Sequence, residues 1–393
     1  MAARPSVDGN VEMIVNERVV IGIEAHAIAG QQGGNETYAL GLLYGLAKIA
    51  SSNYDFIVFL REKTPVPDFL KEKSNFSFRR VSNSSFRRWL WNVPRLARQG
   101  RIHLLHTQYH LPPRLVCPGV ITLHDVSFRR YPQHFPSSLL WSLRLSLPHA
   151  VRKASAIITV SDFSRTEIEH FYPESRGKVR VVYNGYSAEF KPLPNFEGTD
   201  LLRKLGVTGP FILTVSSLQP RKNLLRLMEA FLSLCQEVRD FTANLVLVGR
   251  AVWGNNNLTQ VFSSHPFRHR IVFSGYLPAI DIARLYSRAL FSVYPSVYEG
   301  FGLPVLESMA CGCPVITSRV SSLPEVAGNA AFLINPFRTE EIAAAMLNLF
   351  RSRSLREKLR ETGLKQARNF SWEKCAGETL AVYEEVLSER LSH

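Results

Sequence analysis

Two glutamates, Glu299 and Glu307, stand eight positions apart in the stretch YEGFGLPVLESMACGCPV, which covers residues 298–315. Two glycines and a proline lie between them, and an apolar run of helical length follows. Glycines let a backbone come close to a ligand, and proline is favoured at the start of a helix. The first amides of a helix have no intrahelical partner and favour anionic or oxygen-rich groups. Carboxylates and amides that converge in this way suit a ligand with several hydroxyl groups.

The elements around this stretch would bring both carboxylates to the same ligand crevice. The run FSVYPS (291–296) is typical of a strand, and a helix is predicted from about residue 304. Ligands of open parallel sheets bind beyond the carboxyl ends of the strands. We therefore expect Glu299 to enter from the loop and Glu307 to lie in the first helical turn, directed back toward the loop. The loop amides are expected to point outward at the ligand, namely those of Gly300, Phe301, Gly302 and Leu303.

A cationic pair follows the first strand of the same half of the chain. Arg221 and Lys222 stand in SSLQPRKN (216–223), at a predicted strand-to-helix junction. A guanidinium beside an ammonium at such a junction suits a diphosphate. The chain contains no Asp-x-Asp sequence that would hold a divalent metal on that diphosphate. The sequence therefore predicts a sugar-nucleotide site without a metal ion or another cofactor.

Apolar runs alternate with helix-length amphipathic runs, which predicts an α/β protein with parallel sheets. The runs are continuously apolar, as expected for strands that are covered on both faces. In the second half, strands are predicted at 211–218, 243–249, 270–277, 291–296, 314–319 and 330–336, with helices at 222–236, 279–289 and from 304. In the first half, strands are predicted at 18–25, 55–60, 103–107, 119–125 and 154–161, with a helix near 35–51.

The length of 393 residues suits two domains. The segment FKPLPNFEGTD (190–200), with two prolines and a glycine, is the predicted linker between them. We therefore predict a first domain over 1–190 and a second over 191–372, facing each other across a cleft. The remaining residues, 373–393, are predicted to form a helix that packs back on the first domain.

Taken together, these segments resemble glycosyltransferases of family 4, the group 1 glycosyl transferases. The resemblance rests on the E-x7-E motif in EGFGLPVLE, on an AxGxPVI segment from Ala310 to Ile316, and on the upstream RKN. Comparable segments also stand at 160–168 (VSDFSRTEI), 182–186 (VYNGY) and 321–328 (SSLPEVAG). The segments EGFGLPVLE and SSLPEVAG together are similar to the corresponding segments of the mannosyltransferase B-like subgroup. The resemblance implies the GT-B fold, with two Rossmann-like domains, an acceptor site in the first and a sugar-nucleotide donor site in the second. It also implies a retaining, metal-independent enzyme.

The resemblance implies roles for the residues of the second domain. Arg221 and Lys222 would bind the diphosphate of the sugar nucleotide and stabilise it as the leaving group. Glu299 would face the transferred sugar, and Glu307 would hold the ribose hydroxyls. The amides from Gly300 to Leu303 would contact sugar and phosphate oxygens.

The resemblance also implies roles for residues of the first domain. His124, at the end of the strand ITLHD, would line the sugar pocket near the anomeric centre, although a lone histidine is more often structural. Gly33 and Gly34, in AGQQGGNETY, would form a glycine loop near the phosphates and the acceptor, or simply a turn.

The expected reaction moves a hexose from a nucleoside-diphosphate sugar to a hydroxyl of a saccharide or lipid-linked acceptor in cell-surface polysaccharide assembly. The subgroup favours mannose from GDP-mannose, and UDP-glucose and UDP-N-acetylhexosamine are the alternative donors. Front-face attack is preferred to a covalent intermediate on Glu299. A non-catalytic nucleotide-sugar-binding protein of the same fold is the rival from another class, and an epimerase of related fold is a third alternative.

The net charge of +14 indicates an anionic partner. The excess lies mostly in the first half, where 24 Lys and Arg stand against 15 Asp and Glu up to residue 190. No apolar run is long enough to span a bilayer, and the N-terminus lacks the layout of a signal peptide, so a cytoplasmic location is expected. Five cysteines form no CxxC pair and indicate neither a disulfide framework nor a zinc site.

Basic residues concentrate in SFRRVSNSSFRRWLWNVPRLARQGR (77–101), which contains two tryptophans and no acidic residue. This composition favours peripheral docking on the anionic inner face of the plasma membrane. A basic groove for the acceptor and an uninvolved solvated face are the other interpretations. Nucleic acid is not indicated as a partner, because no recognition module or stacking platform accompanies the basic residues.

Overall fold

A computed structural model describes residues 18–30, 33–193, 199–250, 258 and 260–391 of the chain. The predicted linker at 190–200 lies partly outside the described residues. The first 17 residues, on which the expectation about a signal peptide rests, lie outside them as well. Within the described residues, no helix is both long and apolar enough to cross a membrane.

The first domain is built on a parallel sheet. Its strands in chain order are β1 (Val19–Glu24), β2 (Tyr54–Arg61), β3 (Phe76–Val81), β4 (Leu104–Gln108), β5 (Gly119–Thr122), β6 (Ala156–Thr159) and β7 (Val179–Val181). They pair in the order β3-β2-β1-β4-β5-β6-β7, and every pairing is parallel. The chain order therefore reverses between β1 and β4.

The second domain repeats this plan. Its strands are β8 (Phe211–Val215), β9 (Asn244–Val248), β10 (Ile271–Gly275), β11 (Phe291–Tyr294), β12 (Val315–Ser318) and β13 (Ala331–Ile334). They pair in the order β10-β9-β8-β11-β12-β13, again all parallel. The chain order reverses between β8 and β11.

Helices cross between the strands and cover both faces of each sheet, as parallel connections require. In chain order they are α1 (Gly34–Ile49), α2 (Ser85–Arg87), α3 (Val93–Gln99), α4 (Ser127–Arg130), α5 (Ser137–Lys153), α6 (Asp162–Phe171), α7 (Thr199–Lys204), α8 (Leu224–Glu237), α9 (Ala279–Arg288), α10 (Leu303–Ala310), α11 (Leu323–Ala327), α12 (Thr339–Arg351), α13 (Arg353–Ala367) and α14 (Trp372–Leu391). A π-helical turn, Arg88–Asn92, joins α2 to α3.

The predicted fold class, two Rossmann-like parallel-sheet domains, is confirmed. Every strand that the apolar runs predicted is present, with ends that differ by a few residues. Two edge strands were not predicted, β3 and β7. β3 reads FSFRRV and exposes Arg79 and Arg80, so its apolar run is interrupted by charge. Edge strands are often charged in this way, because an unpaired apolar edge invites aggregation.

The last helix returns to the first domain and packs along α1. Trp372, at the start of α14, is buried with Cys375, Ala376 and Tyr383 in the apolar cluster of the first domain. This close approach depends on glycines in α1. A Cβ added to Gly45 would lie 2.1 Å from the carbonyl oxygen of Trp372, closer than any real contact.

We expect Gly45→Ala to lower the melting temperature of the protein by several degrees. The added methyl would push α14 away from α1, and such overpacking costs about 1–3 kcal/mol. Gly34→Ala, in the same helix, is the matched control, because a Cβ there meets no atom within 4 Å. Thermal unfolding followed by circular dichroism measures both variants. Equal melting temperatures for the two would contradict the packing of α14 on α1.

Candidate active site

The sequence-predicted cations and the first glutamate meet where the second sheet changes direction. Arg221 and Lys222 follow β8, and Glu299 follows β11, the strand beside it. In open α/β sheets a ligand crevice forms beyond the carboxyl ends of the two strands at which the chain order reverses. The topology therefore brings these three side chains together at the place where ligands bind to such sheets.

Glu299 is the centre of this cluster and is 6% exposed. Its Oε1 accepts hydrogen bonds from Lys222 Nζ at 2.6 Å, from the Tyr294 hydroxyl at 2.9 Å and from the Ser296 hydroxyl at 2.5 Å. Its Oε2 accepts from Arg221 Nη1 at 3.1 Å. Both oxygens of the carboxylate are therefore held by protein donors, and the loops after β8 and β11 are fixed to each other.

The charges of the cluster shift one another's pKa values. Burial opposes ionisation of Glu299, but Lys222 and Arg221 outweigh it and lower the pKa of the carboxyl to about 2. Burial and the neighbouring guanidinium lower the pKa of Lys222 to about 8, although Glu299 partly offsets them. Burial would lower the pKa of Arg221, but Glu299 and Asp125 raise it. Near neutral pH the three side chains hold two positive charges and one negative charge, and the charge of Asp125, from the first domain, acts on both cations.

Sequence reasoning missed the donors that complete this cluster. Tyr294 is the last residue of β11 and Ser296 lies two residues beyond it, so both were assigned only to a strand. A buried carboxylate needs several hydrogen bonds in addition to its charge partners. The available signal was a tyrosine and a serine within five residues of Glu299, at the end of the predicted strand that precedes that glutamate. The predicted contact of Glu299 with a transferred sugar stays a prediction.

The glycine loop between the two glutamates leads directly into helix α10. Gly302 precedes α10 with a φ of 110°, a conformation that side chains with a Cβ rarely adopt. Within the described residues, the amides of Gly300, Phe301 and Leu303, like that of Gly302, donate no hydrogen bond to the protein. The ring of Phe301 is buried in the core instead of facing the cleft. Four successive amides are thus left for a ligand beside the cationic cluster.

Glu307 lies further along the helix than the sequence predicted. It is the fifth residue of α10 and so begins the second turn, because the helix starts at Leu303. The side chain is half-buried and makes no hydrogen bond or ion pair to another described residue. Burial raises the pKa of its carboxyl to about 7. Glu307 is therefore an unpaired acceptor whose charge changes near neutral pH.

His124 lies against the glycine loop from the first domain. A Cβ on Gly300 would lie 2.3 Å from the His124 carbonyl oxygen, so only glycine permits this approach of the two domains. The His124 ring packs edge-on against Tyr38, with ring centroids 4.7 Å apart, and its Nε2 lies 2.9 Å from Gln108 Oε1. Burial lowers the pKa of His124 to about 4, with Asp125 offsetting part of the shift. The imidazole is therefore neutral at pH 7.

Gly33 and Gly34 form the entrance to α1. Gly33 has a φ of 58° and a ψ of −126°, which is available to glycine alone. The amide nitrogen of Gln108 donates to the Asn35 carbonyl at 3.4 Å while its oxygen meets His124, so one side chain joins this entrance to the histidine. Sequence reasoning did not single out Gln108. The structure places the glycines on the His124 side of the first domain, and their contact with phosphates stays a prediction.

Hydrogen bonds across the cleft hold the loop against the first domain. Ser161 caps α6 by accepting a hydrogen bond from the Ser164 amide at 3.0 Å. Its hydroxyl also donates to the Gly300 carbonyl at 2.6 Å. From the second domain, the Glu325 carboxylate accepts from the amides of Asp162 and Phe163 at 2.8 and 2.7 Å. An acidic group at a helix N-terminus is favourable, so α6 is capped by both domains.

The assembled site can bind an anionic, hydroxyl-rich ligand. It offers cations, unpaired amides and an unpaired carboxylate on one side, and a neutral histidine on the other. Among the described residues, no group of three or more His, Cys, Asp or Glu side chains is placed to hold a metal ion. The four cysteines of this part of the chain that are buried, and the half-buried Cys117, are all free thiols.

Comparisons with known proteins agree with this architecture. The family model for glycosyl transferases group 1 matches residues 203–366, and that for glycosyltransferase family 4 matches residues 32–190. O-antigen chain mannosyltransferase B from Escherichia coli is 36% identical over 276 residues, which cover 70% of this chain and 72% of that protein.

Solved structures share the whole fold. Sucrose-phosphate synthase from Thermosynechococcus elongatus is 19% identical, with a TM-score of 0.77 over 95% of this chain and 100% of the other. HepE from Anabaena, in complex with UDP and glucose, is 20% identical, with a TM-score of 0.72 over 94% of this chain and 100% of the other. With two family models that match its two domains and a relative that matches across both, the chain belongs to glycosyltransferase family 4 and is a glycosyltransferase of GT-B fold.

Proposed function

We propose that this glycosyltransferase moves mannose from GDP-mannose to a hydroxyl of a saccharide or lipid-linked acceptor in O-antigen assembly, with retention at the anomeric carbon. The observation that carries the proposal is the row of unpaired amides at 300–303 beside Arg221 and Lys222. The choice of mannose is supported by the similarity to O-antigen chain mannosyltransferase B. The choice of a nucleoside-diphosphate sugar is supported by HepE, which was solved with UDP and glucose.

In this proposal the diphosphate lies at the N-terminus of α10. Arg221, Lys222 and the loop amides bind its oxygens and stabilise the charge that develops as it leaves. Glu307, which has no protein partner among the described residues, accepts hydrogen bonds from the ribose hydroxyls. Gly33 and Gly34 approach from the first domain. No metal ion is required, because cations and helix amides meet the charge of the diphosphate.

The contacts of Glu299 favour front-face attack over a covalent intermediate. A carboxylate with a pKa of about 2 that already accepts four hydrogen bonds is a weak nucleophile. Attack by the acceptor from the side of the leaving diphosphate lets a phosphate oxygen take the acceptor proton. Glu299 then orients the cations and contacts a hydroxyl of the transferred sugar, while neutral His124 lines the opposite wall near the anomeric carbon.

We expect Arg221→Ala to lower turnover with GDP-mannose on the order of a hundredfold or more, because the leaving diphosphate loses a preorganised donor. Arg239→Ala is the matched control, since it removes an exposed arginine beyond α8 and leaves the site intact. Release of GDP measures turnover, and circular dichroism shows that each variant is folded. Full activity of folded Arg221→Ala would remove the diphosphate role of this residue.

Binding of GDP-mannose is expected to weaken as the pH falls below about 7. Glu307 becomes protonated there, since burial raises its pKa to about 7, and a neutral carboxyl is a poorer acceptor for two hydroxyls. Affinity would fall by at most about tenfold per pH unit. Calorimetry between pH 5.5 and 8.5 tests this, since the diphosphate ester itself has no group that titrates near 7. Glu307→Gln should bind weakly at every pH, and an unchanged pH profile in that variant would refute the assignment.

The basic stretch 77–101 supports docking on an anionic membrane surface. The segment from α2 to α3 exposes Phe86 and Trp91, at 70% and 69%, next to Arg87, Arg95 and Arg98. Aromatic rings beside cations suit the headgroup region of an acidic bilayer. One part of the sequence interpretation is wrong, because Arg88 does not lie on this surface. It is 3% exposed and points into the domain.

We expect the double variant Phe86→Ala, Trp91→Ala to bind vesicles of phosphatidylglycerol and phosphatidylcholine at least tenfold more weakly. Each aromatic side chain that leaves water contributes about 1.5–3 kcal/mol. Phe337→Ala removes an exposed ring of the second domain, at 55%, and should bind vesicles as the unaltered chain does. Cosedimentation measures binding, with calorimetry of GDP as the test of an intact nucleotide site. Failure of the unaltered chain to sediment with these vesicles would exclude this docking surface.

A further inference from the structure

Two serines fix the short helix α11 to the glycine loop of the second domain. The Ser321 hydroxyl accepts a hydrogen bond from the Glu299 amide at 3.2 Å. The Ser322 hydroxyl lies 2.9 Å from the carbonyl oxygens of both Glu299 and Phe301 and shares its proton between them. Ser321 has a φ of 58°, a conformation that costs free energy and persists only where the surrounding contacts enforce it. The start of α11 therefore moves with the loop that carries the unpaired amides.

From the middle of α11, Glu325 reaches the first domain. Its half-buried carboxylate accepts from two successive amides, those of Asp162 and Phe163, at 2.8 and 2.7 Å. The Tyr183 hydroxyl lies 3.5 Å from this carboxylate and 3.3 Å from that of Asp162. Burial and the two carboxylates raise the pKa of Tyr183 to about 12, so the hydroxyl keeps the proton that it donates to them. One side chain of the second domain thus grips the N-terminus of α6.

The same end of α6 contacts both walls of the candidate active site. The Ser164 hydroxyl lies 3.0 Å from the His124 carbonyl oxygen and 3.2 Å from that of Gly300. His124 belongs to the first domain and Gly300 to the glycine loop of the second. A shift of α6 relative to the loop would therefore change the distance between the histidine and the loop.

An aromatic contact extends this junction to the cationic cluster. Phe163, whose amide Glu325 binds, packs its ring edge-on against that of Tyr298, with centroids 5.3 Å apart. Tyr298 is 2% exposed and directly precedes Glu299. The residue that Glu325 holds in the first domain is therefore packed against the loop that positions Arg221 and Lys222.

The contact of Glu325 is not needed for α6 to form. The helix has its own N-cap, Ser161, and the first amides of any helix can be met by water when they are exposed. A carboxylate from the other domain replaces that water only while the two domains are together. Hydrogen bonds to an ionised group are stronger than those between neutral groups. The free energy of this contact therefore favours the closed arrangement of the domains and not the folding of either one.

We propose that Glu325 is a positioning residue for the transfer reaction, which brings His124 to the sugar nucleotide on the glycine loop by holding the N-terminus of α6. Arg221, Lys222 and the loop amides bind most of the nucleotide within the second domain, so nucleotide binding does not require Glu325. The carboxylate acts after binding, when both walls of the site must face the same sugar. The proposal rests on the proposed sugar-nucleotide site and adds a residue outside the RKN and E-x7-E segments.

The first test separates turnover from nucleotide binding. Glu325→Ala should lower kcat for release of GDP from GDP-mannose by about tenfold or more, and its affinity for GDP in calorimetry should change by less than about threefold. In the presence of GDP, hydrogen exchange at the amides of Asp162 and Phe163 should be faster than in the unaltered chain. Glu340→Ala, which removes an exposed carboxylate from the first turn of α12, should change none of the three.

A backbone substitution tests the same contact from the first domain. Asp162 is the first residue of α6, a position that tolerates proline, and Ser161 before it is extended, as a residue before proline prefers. Asp162→Pro removes the N–H group that Glu325 accepts, whereas Asp162→Ala removes the side chain and keeps that group. The kcat of the proline variant should be about fivefold or more below that of the alanine variant, with similar melting temperatures.

The proposal is overturned if folded Glu325→Ala releases GDP as fast as the unaltered chain, or if its GDP affinity falls as far as its kcat. Equal activity of the two Asp162 variants would overturn it as well. If the unaltered chain releases nucleotide from neither GDP-mannose nor UDP-glucose, the proposed function fails instead, and the exchange comparison still decides whether Glu325 holds α6.

Discussion

An ionised carboxylate in a protein interior must keep its cations beside it, and this constraint organises the second domain. Glu299 stays charged because Lys222 and Arg221 touch it, and the two cations stay in place because Glu299 holds them. Removing one partner of such a buried pair typically costs about 3–5 kcal/mol. The loops after β8 and β11 therefore cannot separate, and the start of α10 is fixed with them. Its unpaired amides are held beside the two cations.

The local chemistry of this site could be predicted from the sequence, because the residues that provide it stand close together in short segments. The RKN and EGFGLPVLE segments each follow an apolar strand, so the topology of a parallel sheet suffices to bring them to one edge. The apolar runs likewise predicted the central strands. The edge strands β3 and β7 were not predicted. β3 carries two arginines and β7 is only three residues long, so neither is distinguishable from a loop in the sequence.

Contacts between distant segments could not be predicted. Nothing in the order of residues shows that Glu325 caps α6 or that Ser161 binds the Gly300 carbonyl, since these partners meet only when the domains dock. The same holds for the arginines of 77–101. Their composition indicates a basic surface, but only the fold shows that Arg88 turns inward to Glu24 while its neighbours stay outside.

The return of the chain at Trp372 has a consequence for motion. The chain passes from the first domain toward the second beyond Gly185 and returns to the first domain at Trp372. These two crossings touch, because a Cβ on Gly185 would lie 2.2 Å from the Trp372 nitrogen. Two adjacent tethers permit rotation about an axis through them and oppose sliding. A movement that opened the cleft would therefore turn about Gly185 and Trp372, and it would break the hydrogen bond from Ser161 to the Gly300 carbonyl.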